Sequence, residues 1–284
     1  MAGFVTRSVL EHDGCTLSYR VRGEGPPVVF IQGVGLHGDG WEPQVDGLAE
    51  RFRCLTFDNR GMASSQPLVG RLGVERMAAD VLALIDAEGW ESAHVVGHSL
   101  GGLVAQHLGL TARQRVRSLA LLCTASKGSH LTRISGPILQ LGLVTYLGTR
   151  RMKRHAFLNL VLPPSLLRAG DRDELAAQLA PVFGHDLADT PPVVDHQLGA
   201  LRAYDATARL AELAGMSTLV VSAEHDPIAP PRFARALAER IPGARHVSIG
   251  DAAHGVTVQR ASDVNALLLE HLTRADGVPS EVAA

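Results

Sequence analysis

Gly97-His98-Ser99-Leu100-Gly101 sets a serine between two glycines. An apolar run, Ala93-His94-Val95-Val96, precedes it, and a helical pattern from Leu100 to Leu110 follows. G-x-S-x-G between a strand and a helix forces a very tight turn. The serine takes a strained backbone conformation with its hydroxyl projecting outward, and the small flanking residues let strand and helix approach. A hydroxyl is a weak nucleophile and needs a base. With 13 histidines in the chain, residue type alone selects none. Position selects His254, in Asp251-Ala252-Ala253-His254-Gly255, on a loop between the last apolar run and the final helical pattern. A third group must orient the imidazole and stabilise its cation. Asp226, in Glu224-His225-Asp226-Pro227, follows the run Thr218-Leu219-Val220-Val221. The order Ser99, Asp226, His254 is the one expected when the nucleophile sits on such a strand–turn–helix. The alternative position for the acid, after Leu119–Leu122, reads Cys123-Thr124-Ala125-Ser126 and holds no carboxylate; Glu224 is the nearest competitor. Two N–H donors must face the oxygen that becomes negative. The residue after the serine, Leu100, supplies one, and the glycine-rich loop Gln32-Gly33-Val34-Gly35 supplies the other, with Val34 the candidate.

These groups need a frame. Short continuous apolar runs at 28–31, 54–57, 93–96, 119–122 and 218–221, with a weaker one at 246–249, suit strands buried on both faces. Asp13-Gly14 between extended segments 4–10 and 15–21 signals a hairpin, an antiparallel edge. Helical periodicity fills 74–88, 100–110, 231–241 and 261–272. The alternation defines an α/β class with a mostly parallel central sheet covered on both faces by helices. About ninety residues between the runs at 119–122 and 218–221 carry helical pattern and no good strand, too much for an ordinary connection. We therefore read residues 1–125 and 207–274 as the core, 126–206 as an inserted helical cap, and 275–284 as a flexible tail. Pro163-Pro164 and Pro191-Pro192 separate helices of the cap.

With these residues in view, the chain resembles α/β-hydrolase-fold serine hydrolases over about 4–274, in the branch of 3-oxoadipate enol-lactonases, carboxylesterases and meta-cleavage-product hydrolases. The marks are Gly97-His98-Ser99-Leu100-Gly101-Gly102, Asp58-Asn59-Arg60-Gly61, Glu224-His225-Asp226-Pro227 and Ala253-His254-Gly255. The resemblance implies a cap over the nucleophile and a second oxyanion donor after the first glycine of the early loop, which is Val34. Ser99 sets the chain apart from haloalkane dehalogenases and epoxide hydrolases of this fold, which place an aspartate there. Two departures stand out. The family's His-Gly is Gln32-Gly33 here, with Gln32 expected to hydrogen-bond the loop in place of an imidazole. In the family's R-G-x-G-x-S, Ala63 replaces the second glycine, which touches the local turn and not the chemistry. Asp58 and Arg60 read as a turn carboxylate and a guanidinium tying loops together.

Composition narrows the partners. Across 284 residues, 46% are hydrophobic, 27 basic residues face 29 acidic ones, and aromatic residues make up 4%. The balance argues against nucleic acid, which calls for a basic excess and stacking platforms. The apolar stretch Ile138–Leu147 is too short to span a bilayer, and no secretory signal is read in Met1–Asp13. Three widely spaced cysteines without a C-x-x-C pair fit a reducing, cytoplasmic setting. No cofactor or metal is expected: His37, His94, His98, His107 and His246 lack ligand spacing. From Lys127 to Arg154 the cap carries six basic residues and no acidic one, either a solvated face or an attraction for an anionic substrate. Ile134, Ile138, Leu139, Leu143, Val144 and Leu147, with Phe157, Phe183 and Tyr204, either pack the cap or line its pocket. The expected activity is hydrolysis of an ester or lactone of a small, partly apolar molecule through an acyl-enzyme. The alternatives are carbon–carbon hydrolysis of a diketone, cofactor-free peroxidation or perhydrolysis, and a slow-turnover ligand receptor.

Overall fold

The computed structural model describes residues 8–133 and 136–277, apart from the side chain of Tyr146. Eight strands form one sheet: β1 (Ser8–His12), β2 (Cys15–Arg22), β3 (Pro27–Ile31), β4 (Arg53–Phe57), β5 (Ala93–His98), β6 (Val116–Leu122), β7 (Thr218–Ala223) and β8 (Arg245–Ile249). Their order is β1-β2-β4-β3-β5-β6-β7-β8. β2 runs antiparallel to β1 and β4, and every other pairing is parallel. The hairpin is an edge, as its turn signal implies, and β1 extends two residues past the expected segment 4–10, to His12. A two-residue turn at Asp13-Gly14 pairs His12 with Cys15, so the strand must run up to residue 12. Residues 4–7 lie outside the described residues.

The helices are α1 (Glu42–Leu48), α2 (Val74–Ala87), α3 (Leu100–Thr111), α4 (Gly128–Leu131), α5 (Gly136–Leu147), α6 (Arg150–Val161), α7 (Pro164–Ala169), α8 (Arg172–Phe183), α9 (Val194–Ala203), α10 (Pro231–Arg240), α11 (Val256–Gln259) and α12 (Ala261–Ala275). α1 pairs with α12 and α2 with α3. Val74, Met77, Ala78, Val81, Leu84 and Ile85 bury one face of α2 at helical spacing. β5 and β7 are buried at every residue. Among the described residues, the chain from α4 to α9 holds no strand between β6 and β7, and its helices have a small core of their own around Leu158, Leu160, Ala176, Leu179 and Phe183. Ala275 closes α12, and Asp276 accepts hydrogen bonds from Arg117 (3.1 Å) and pairs with His94 (3.2 Å); residues 278–284 lie outside the described residues. Among the described residues no helix is long and apolar enough to cross a membrane.

Arg60 and Asp58 hold the loops as expected. The fully buried Arg60 guanidinium grips Asp80 and reaches the carbonyls of His12 (3.3 Å) and Asp13 (3.0 Å) across the hairpin turn. Asp58 accepts from the amides of Gly38 (2.9 Å) and Ser64 (3.3 Å). Ala63, in the place of a family glycine, takes φ 43°, so the turn keeps a glycine-like conformation at the cost of a crowded Cβ.

The core also buries imidazoles, with a consequence for acid stability. Burial pushes His98 down to about 3 and His271 down to about 4, and lowers His94. An unfolded histidine takes up its proton near pH 6.5, while these stay neutral in the fold. Stability is therefore complete above that value and falls as pH drops towards the depressed folded values. His98 and His271 should each cost up to about 3 kcal/mol between pH 6.5 and 4. Urea titrations at pH 7, 6 and 5 should show a declining midpoint, and a midpoint constant over that range would contradict this origin.

Candidate active site

The strand order reverses between β3 and β4 on one side and β5 on the other. In parallel sheets the crevice at the carboxyl ends of such strands is where ligands bind. β5 runs directly into Ser99, and β3 into Gln32-Gly33-Val34-Gly35. Ser99 has φ 54° and ψ −114°, a conformation that side chains rarely adopt. Its amide donates to the Leu122 carbonyl (2.9 Å), and its carbonyl accepts from the Thr124 hydroxyl (2.8 Å), which hold it there. Glycines on either side are a steric requirement. A Cβ on Gly97 would stand 2.2 Å from the Gly101 carbonyl oxygen, and one on Gly101 would stand 2.0 Å from that of Ile31.

His254 Nδ1 lies 2.7 Å from Asp226 Oδ2. The carboxylate accepts, so Nδ1 carries the proton and Nε2 keeps a lone pair. The other oxygen of Asp226 accepts from the amides of Ile228 and Ala229, both at 2.8 Å. Burial works to raise the Asp226 carboxyl. The His254 charge, its hydrogen bond and the two amides outweigh burial and hold it below the ordinary carboxylate range. Glu224 is exposed and accepts from the Asp251 amide (2.9 Å), so it is no rival for the imidazole. The backbone of the histidine loop is tied to the end of α6: the His254 amide donates to the Leu160 carbonyl (3.3 Å), and the Gly255 amide to that of Val161 (3.0 Å).

Gln32 does bond the early loop, its Oε1 accepting from the Gly33 amide (3.3 Å). The Gly35 amide donates to Gln197 Oε1 on α9 (2.7 Å). Of the three successive amides, Gly33 and Gly35 thus have side-chain acceptors. Val34 lines the cavity beside Ser99. Leu100 begins α3, where the first amides have no acceptor within the helix and carry the positive end of its dipole.

Ser99, His254, Val34 and Gln32 line one cavity of about 330 Å³. Asp226 lies behind His254, fully buried. Phe157 and Phe183 both line the cavity, in edge contact at 5.5 Å, while Tyr204 packs against His107 (5.8 Å) outside it. α5 faces the cavity with Ile138, Leu141 and Thr145, and Val144 is buried. Leu139, Leu143 and Leu147, read from sequence as cap core or pocket, are exposed at 61%, 61% and 81%. α5 is apolar nearly all round, so periodicity could not select its inner face. Ile134 lies outside the described residues.

Sequence reasoning missed three polar neighbours. His98 Nε2 lies 2.9 Å from the His254 carbonyl, so it donates, and its Nδ1 lone pair is buried with no hydrogen-bond partner. Nitrogens of His98 and His254 lie within 4.8 Å of each other and of Cys123 Sγ. This is closer grouping of metal-capable side chains than spacing had suggested. Burial and the Asp226 charge hold the Cys123 thiol well above its usual range, so it is protonated. Gln197 is the third; a glutamine inside a helical pattern carries no local sign that it will clasp a loop 162 residues away.

The strained serine, the paired histidine and the parallel sheet define an α/β hydrolase. The chain belongs to the alpha/beta hydrolase fold family, whose model matches residues 26–261, and it is an enzyme, a hydrolase. A protein of Variovorax paradoxus, provisionally named carbamate hydrolase RutD, is 32% identical over 93% of this chain and 99% of its own. Another, from Azorhizobium caulinodans and given the same provisional name, is 29% identical over 89% and 93%. Among solved structures, the enol-lactonase from Burkholderia xenovorans superposes with a TM-score of 0.78 at 27% identity, covering 94% of this chain and 100% of its own.

Proposed function

We propose that this hydrolase cleaves an ester or lactone of a small, partly apolar molecule through an acyl-enzyme. The observation that carries the reading is a serine at φ 54° in the wall of the same cavity as a histidine whose Nδ1 is tied to a buried carboxylate at 2.7 Å. Ser99 Oγ attacks the carbonyl carbon while His254 Nε2 takes its proton. Asp226 fixes the imidazole and stabilises its cation. The Val34 and Leu100 amides receive the negative charge developing on the carbonyl oxygen. Collapse expels the alkoxide, which leaves with the proton from His254. Water, deprotonated by His254, then releases the acid. The largely apolar lining fits an acyl or lactone skeleton. The likeness to an enol-lactonase adds weight to the lactone. We assign the enzyme to the cytoplasm, a setting that its three buried, free cysteines fit. We divide the chain into a core of 1–125 and 207–274 and a cap of 126–206.

A panel of 4-nitrophenyl esters, lactones and vinylogous diketones tests the reading. Turnover of esters or lactones with an acyl-enzyme burst supports it, and turnover of diketones alone overturns it. The Val34 amide has its own test. Proline at 34 removes the N–H, whereas alanine keeps it. Val34→Pro should lower kcat about 10²–10³-fold and Val34→Ala only slightly. A crystal structure of the proline variant checks that the loop is unmoved. Near-normal kcat with an unmoved loop would place the second donor at a different amide.

A further inference from the structure

Of the six basic residues in the Lys127–Arg154 stretch, four are held in ion pairs, and Arg133 is exposed and outside the cavity lining. Arg150 is held by Asp186 (2.9 Å) and Asp189 (2.7 Å), Arg151 by Asp173 (2.8 Å), Arg154 by Asp186, and Lys127 by Asp205 (2.9 Å). Lys153 differs. Among the described residues no carboxylate lies within ion-pair distance of it, and it is half-buried in the cavity wall. Lys153, Phe157, Leu160 and Val161 share one face of α6, at the i, i+4, i+7, i+8 spacing of a single helical surface, and all four line the cavity. Asp189 is the acidic lining residue, and Arg150 already neutralises it. Arg202, exposed on α9, adds a second positive charge to the lining.

We infer that the cavity takes a substrate with a carboxylate at the end of its acyl chain, and that Lys153 binds this carboxylate and determines specificity. The inference rests on the serine-hydrolase reading above and narrows it to a substrate class. α6 also serves as a ruler. Its Leu160 carbonyl holds the His254 backbone, and Lys153 stands seven residues earlier, about 10 Å along the helix axis. The substrate therefore carries reacting carbonyl and carboxylate at opposite ends of a medium-length chain, with Phe157 and Leu160 against the methylenes between them. A half-buried lysine in an apolar wall offers a carboxylate an ion pair that solvent screens less than it would a fully exposed pair.

The test compares 4-nitrophenyl hydrogen suberate with 4-nitrophenyl octanoate, which differ in the terminal group. Wild-type enzyme should prefer the suberate in kcat/KM. Lys153→Met should lose about tenfold or more on the suberate, chiefly in KM, while octanoate changes by about twofold at most. Lys153→Arg should restore most of the suberate rate, and Arg151→Gln, which alters an exposed pair outside the cavity lining, should leave both substrates unchanged. Added salt should slow the suberate alone. Equal losses on both esters in Lys153→Met, or no wild-type preference for the suberate, overturns the inference and leaves the hydrolase reading intact. Wild-type enzyme that turns over neither ester and takes no fluorophosphonate at Ser99 overturns the hydrolase reading, and this inference with it.

Discussion

Replacing Ser99 by alanine is expected to lower ester turnover by about 10⁴–10⁶-fold. In the proposed mechanism every acyl transfer passes through its Oγ, and without it only binding and oxyanion stabilisation remain. Wild-type enzyme should be labelled by a fluorophosphonate at Ser99, and the variant should not be labelled. The fold should survive, because the backbone holds this turn through the Leu122 carbonyl and the Thr124 hydroxyl and not through the serine side chain. Ser99→Gly gives a sharper control. Alanine keeps the Cβ that makes φ 54° costly, and glycine does not. The glycine variant should be equally inactive yet more stable than the alanine variant, by about 1 kcal/mol. Label on another serine, or turnover undiminished in Ser99→Ala, would end the assignment.

Asp226→Asn is expected to cost about 10⁴-fold in kcat with little change in structure. The reason lies in which oxygen becomes the amide nitrogen. Oδ1 accepts from both the Ile228 and Ala229 amides and must remain an acceptor, so the new NH₂ group takes the place of Oδ2, facing His254 Nδ1. That nitrogen must then accept, which moves the ring proton to Nε2, where a base needs its lone pair. Raising the pH cannot recover the lost rate until hydroxide or another base replaces the imidazole. Asp226→Ala removes the acceptor from two buried amides as well, and should lose stability together with activity. A loss below about tenfold in Asp226→Asn would mean that the carboxylate does not set the imidazole tautomer.

Much of this was legible in the sequence because the informative features are local. β3, β5 and β7 read as unbroken apolar runs since both their faces are covered. Ser99 is marked by the glycines that its turn requires. Gln32 could be assigned to the loop because a side chain next to Gly33 needs no long-range partner. What was missed depends on distant contacts. α1 is short and contains Pro43 and Gly47. It is pinned by Gln44 donating to the Thr257 carbonyl (2.7 Å) and by Asn265 donating to that of Pro43 (2.8 Å). The exposed leucines of α5 were misplaced because a helix apolar on every side does not say which side faces inward. The sorting of Lys153 from its arginine neighbours needed the positions of Asp173, Asp186 and Asp189, which approach from other helices and loops.

Two amides join the His254 loop to the end of α6. α6 forms part of the cavity wall, so access for a substrate and the position of the proposed base would depend on the same few atoms. A Cβ on Gly255 would stand 2.7 Å from the Val161 carbonyl oxygen, which leaves no slack in that joint. If α6 swings outward to admit a ligand, the base is drawn away from the serine. If it settles back, the base returns with it. An open enzyme is then a disarmed one, and bulk water entering the gaping cavity meets a serine whose base has been withdrawn. A Cβ at this joint, as in Gly255→Ala, is then expected to push the proposed base out of place and lower kcat.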